Sequence, residues 1–207
     1  MKSKKTGAAA THAALLLVTL ALFTIRTSYA HAQTGNPHAA AAQDRELSPE
    51  QGHLLSIVRE ATERFKNVNV AQSEQYSLLF GCVTGPDSGA MGLHFVKQEF
   101  LSKPPMLPNG DIDPTRPEIV IYEPVSGGGL RLIGADYLLF AEAWDKAHPG
   151  NPPQLMGQLF HYFESPNRFG LPPFYTLHVW AWKDNPNGAF VNWHPNVSCK
   201  SFNGQIP

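Results

Sequence analysis

The chain has 207 residues with 16 basic and 17 acidic side chains, 43% hydrophobic residues and two cysteines. It has no basic stripe and no Arg/Lys cluster interleaved with aromatic residues, which excludes a surface built for nucleic acid. A chain of this length is expected to form one domain with a substantial hydrophobic core.

In chain order, MKSKK is a short basic region, Ala13 to Ile25 is mostly apolar, and Ala30-His31-Ala32 is a small-residue cleavage site. Together they predict a secretory signal peptide over residues 1–32, with cleavage after Ala30 as the alternative. The apolar run is about half of the roughly 20 residues needed to span a bilayer. No second long apolar segment follows, so no membrane span is expected after cleavage, and the expected location is periplasmic or extracellular. Cleavage removes four of the 16 basic residues and no acid, leaving 12 against 17 acidic, a net charge of −5. In an oxidising compartment Cys82 and Cys199 are expected to pair, the alternative being two separate buried thiols.

Residues 33–47 lack the apolar content to hold a packed structure and read as a flexible leader, so the globular domain is placed at 48–207. Ser48-Pro49-Glu50-Gln51 is a capping box with proline at the first helical position. Leu54, Ile57, Val58, Ala61 and Phe65 follow at helical spacing and predict one amphipathic helix over 49–66. Beyond Asn67, glycine and proline recur every few residues between short β-favouring runs. Strands are predicted at 76–83, 91–96, 118–122, within 130–140 and at 174–182, and a short helix over 137–147. Pro149–Leu155 and Ser165–Pro173 carry large apolar residues and are expected to be ordered loops that line a site. The fold class is therefore α+β or mostly β: a small antiparallel sheet or barrel with an N-terminal amphipathic helix.

Several strands carry polar residues that are costly to bury alone. In PPFYTLHVWAW, alternation puts Phe174, Thr176, His178, Trp180 and Trp182 on one face, an aromatic wall with one imidazole in it. His94 lies between Leu93 and Phe95, Glu118 and Glu123 bracket an apolar run, and Asp136 follows another. Two imidazoles and two carboxylates meeting inside a barrel would satisfy one another by holding a divalent transition metal. The expected ligands are His94, Glu118, Asp136 and His178. Glu123 is expected to orient a ligand from behind, and His161, Phe174, Trp180 and Trp182 to line the pocket. The aromatic-lined pocket is expected to hold a metal or a small ligand; the alternative is a non-catalytic envelope protein, binding a partner or apolar ligand through the aromatic wall or serving structurally, with a buried His/carboxylate hydrogen-bond network and no metal. His194, in a turn that looks solvent-facing, is read as structural. No Gly-x-Ser-x-Gly elbow and no phosphate-binding loop is present, and Gly127–Gly129 reads as a hairpin connection.

The stretches GAMGLHFV, PEIVIYEP and HVWAWKDNPNG, with NWHPNVSC, resemble a group of bacterial secreted proteins of uncharacterised activity. The resemblance runs from about Ala61 to Cys199 and implies a shared fold along the domain. Members of that group more often carry Glu at Asp136 and Asn at His194. A cupin-like small barrel is the nearest familiar architecture, although its histidines two residues apart are missing here.

Overall fold

The computed structural model describes residues 47–205. The expected signal peptide, and the expected leader apart from Leu47, lie outside the described residues. Among those described, no helix is long and apolar enough to cross a membrane.

Helix α1 (Pro49–Thr62) begins with the capping box read from the sequence: the Ser48 side chain accepts from the Gln51 backbone, and the Gln51 side chain accepts from Ser48 N–H. The helix stops four residues short of the expected end, and Glu63–Lys66 tighten into a 3₁₀ turn that still buries Phe65. A short helix α2 (Val68–Ser73) follows.

The body of the fold is a curled antiparallel sheet. Its strands are β1 (Tyr76–Gly85), β2 (Gly89–Lys97), β3 (Ile119–Pro124), β4 (Leu130–Phe140), β7 (His161–Phe163) and β8 (Phe174–Val179), in the order β1-β2-β3-β4-β8-β7. A two-residue pair, β5 (Gln154–Leu155) and β6 (Gln158–Leu159), stands apart. Helix α3 (Gln98–Ser102) follows β2, and α4 covers Ala141–Ala147. The helix expected from Tyr137 therefore starts later. Tyr137 to Phe140 pair with β8, and burial of Tyr137, Leu138 and Leu139 within the sheet overrides their helical tendency.

One sheet face, bearing Leu93, Phe95, Val120, Tyr122, Tyr137 and Leu177, packs under α1 and the 3₁₀ turn. The opposite face, with Ile119, Ile121, Leu138 and Phe174, is covered by the loop after β7 and by the C-terminal segment. Three irregularities break the pairing. Phe80 and Gly81 in β1 both have positive φ (69° and 67°), Met91 in β2 has no partner in β1, and Ile133 in β4 has none in β3. Such bulges bend strands and re-aim side chains.

The Cys82–Cys199 disulfide is formed, across a sequence separation of 117. It ties β1, just past its bulge, to the C-terminal segment, which is also joined to the sheet by a bridge between Ala90 and His194. A disulfide fits an extracellular or periplasmic protein.

Candidate metal centre

Asp136 and His178 are direct cross-strand partners on β4 and β8. Strand β2, which carries His94, is three strand spacings from β8, about 14 Å in a flat sheet. Curling of the sheet closes that gap on its concave side: His94 Nε2 and His178 Nε2 stand 3.3 Å apart. One ligand atom from each of His94, Asp136 and His178 falls within 4.8 Å of the others. Asp136 Oδ1 is 3.7 Å from His178 Nδ1 and accepts a hydrogen bond from Thr176 Oγ1 at 2.5 Å.

All three groups are buried, and Nδ1 of both histidines has no hydrogen-bond partner among the described residues. Burial disfavours the charged imidazolium, pushing His94 down to about 4, helped by the neighbouring His178, and His178 down to about 3. Both rings are therefore neutral at pH 7, the state in which imidazole binds metals. Burial pushes the Asp136 carboxyl up to about 6, against the opposing effects of His94 and the Thr176 hydroxyl, so it is mostly ionised at neutral pH.

A cavity of about 20 Å3 opens beside these atoms, room for about one water molecule or an ion. Its walls are largely apolar: Phe80, Met91, Phe163, Phe169, Leu171 and Phe174 contribute. Phe169 and Leu171 come from the loop that the sequence marked as lining a site. Phe80, which its left-handed backbone aims at the cavity, meets Phe169 with ring centroids 5.5 Å apart.

The remaining expected residues fall elsewhere, each for an identifiable reason. Glu118 precedes β3 and stands outside the converging group: its Oε2 accepts the backbone N–H of Leu138, and its buried Oε1 has no partner among the described residues. Glu123, the next-to-last residue of β3, accepts from Lys183 Nζ at 2.8 Å and from Ser198 N–H at 3.2 Å, contacts that anchor the C-terminal segment and include neither His94 nor His178. His161 sits exposed on edge strand β7, with Nε2 3.2 Å from the Phe190 carbonyl.

Phe174 lines the cavity as expected, whereas Trp180 stands behind His178, ring centroids 5.9 Å apart, and donates to the Val191 carbonyl. Trp182 is on the other side of the sheet. The Ala181 N–H bonds back to the Val179 carbonyl, a three-residue turn that breaks the alternation, and Trp182 Nε1 donates to Thr62 Oγ1 beneath α1. His194, expected to face solvent, is fully buried against Trp180.

Glu118 imposes a pH dependence on stability. Burial raises its carboxyl from 4.5 to about 8, so the folded chain holds a proton that the unfolded chain has released. The stability this confers is complete below pH 4.5 and is lost as pH rises through 8. His94 and His178 act oppositely: the unfolded chain takes up protons first as pH falls below 6.5, so their contribution is lost on acidification. Asp136, raised from 3.8 to about 6, opposes the histidines in that acid range. In the unfolded chain the histidines are still half protonated at pH 6.5 and release their last protons by about pH 7.5, so above that only Glu118 among these four groups still titrates appreciably. Urea denaturation is expected to show stability falling between about pH 7.5 and 8.5, and Glu118→Gln to remove that fall. A wild-type profile flat over this range would contradict a buried protonated Glu118.

No protein-family model, curated protein or solved structure matches the chain.

Proposed function

We propose that this chain is an exported protein that binds one divalent transition metal through His94, His178 and Asp136, at the foot of an apolar chamber. The observation that carries this reading is the 3.3 Å separation of the two Nε2 atoms with a buried carboxylate beside them. Two ligand nitrogens about 2.1 Å from one ion, at the angles of tetrahedral or octahedral coordination, stand about 3.0–3.4 Å apart. Two histidines and one carboxylate make a mononuclear site with positions left open. Here the open side faces the chamber, where an ion could polarise or activate a small ligand. The signal-like N-terminus and the disulfide support export.

A structural reading competes with it, because 3.3 Å also suits one N–H···N bond between two neutral imidazoles. That reading makes the three residues a metal-free network in a non-catalytic envelope protein.

Titration of chelator-treated protein with Co(II) separates the two. The metal reading expects a ligand-field spectrum that saturates at one equivalent and is abolished in His94→Ala and His178→Ala. Asp136→Asn should weaken binding by about 10–100-fold. No saturable Co(II) spectrum and no uptake of copper or zinc in a folded wild type would overturn the metal reading and leave the network.

A further inference from the structure

Met91 lines the same cavity as His94, Asp136 and His178 and is 2% exposed. Strand alternation alone would not put it there. Leu93 and Phe95 belong to the cluster on the opposite face, and Met91 shares their parity. The bulge accounts for the difference. Val83 pairs with Gly92 and Thr84 with Ala90, so Met91 is the extra residue, and Gly92 has φ +94°. A Cβ at Gly92 would lie 2.6 Å from the Tyr122 carbonyl oxygen, so only glycine fits. A bulge that needs glycine at position 92 thus places Met91 on the wall of the cavity that His94 and His178 also line.

We propose that Met91 is a further ligand of the metal held by His94 and His178, and that this soft donor makes the centre a copper site able to hold the cuprous ion. The inference rests on the metal reading above and adds the identity of the ion. Thioether sulfur is uncharged and polarisable and selects Cu(I) over the harder divalent ions, while imidazole serves both oxidation states of copper. Charge points the same way. A cuprous ion beside one ionised Asp136 is a net-neutral pair, whereas a divalent ion there leaves a positive charge among phenylalanine rings. Methionine also fills irregular gaps in apolar cores, which leucine does nearly as well. Met91→Leu therefore keeps the packing and removes only the donor.

The test measures Cu(I) by competition with bathocuproine disulfonate, and Zn(II) with a chromophoric chelator, on wild type and Met91→Leu. Cu(I) affinity is expected to drop by about tenfold or more in the variant, with Zn(II) affinity changed by less than about threefold. X-ray absorption at the copper edge of the Cu(I)-loaded wild type should show one sulfur scatterer, and this readout needs no variant to fold. Unchanged Cu(I) affinity in Met91→Leu, or a copper shell of nitrogen and oxygen alone, overturns the thioether ligand while leaving the His/Asp site standing. A wild type that binds neither ion overturns both.

Discussion

The double variant His94→Leu/His178→Leu is expected to bind no metal and, compared with metal-free wild type at pH 7.5, to be more stable by about 1–3 kcal/mol. Each imidazole is buried, and each leaves its Nδ1 without a partner among the described residues. Their one mutual contact offsets only part of the cost of removing two polar rings from water. Leucine is close to histidine in size and takes the apolar walls of the chamber as its neighbours. Both histidines must go together, because a single substitution leaves the other ring without even its Nε2 contact. A functional site that is a liability to the empty fold behaves in this way. If the variant instead loses more than about 2 kcal/mol in urea denaturation, the histidines build the core and the structural network is the better account.

Removal of the disulfide by Cys82→Ala/Cys199→Ala is expected to cost about 4 kcal/mol, from the loop of more than a hundred residues that it closes. For a domain of this size the midpoint of thermal unfolding should fall by about 8–16 °C. After β8 the chain runs to its end without a further strand or helix among the described residues, held by the disulfide, the Ala90–His194 bridge and the Glu123 contacts with Lys183 and Ser198. Trp180 and His194, which back His178, belong to that segment. The variant should therefore also show faster hydrogen exchange at Trp180 and His194 than in the strands. A loss below about 1 kcal/mol would mean that the segment is held by its own packing.

What could be read from one dimension is what local rules govern. The α1 capping box depends on four consecutive residues. The common face of Phe174, Thr176 and His178 depends only on alternation within one strand. The meeting of His94 with His178 depends on curvature across β2, β3, β4 and β8, which no short motif encodes. Glu118 misleads for a simpler reason. It lies one residue before β3 on the parity of Val120 and Tyr122, away from the cavity, and its carboxyl is spent on the Leu138 N–H. Trp182 and Met91 are two of the places where alternation fails, one through a three-residue turn and one through a bulge. The second glycine of GAMGLHFV, Gly92, was the available signal for the second, since a glycine inside a strand pattern often marks a bulge.

The most direct measurement is elemental analysis of the protein purified from periplasm, without chelator and without nickel affinity steps. About one equivalent of a single transition metal per chain is predicted, copper if the Met91 thioether is a ligand. Folded protein carrying no transition metal, and taking up none when offered, would contradict the account and leave His94, Asp136 and His178 as a buried polar network.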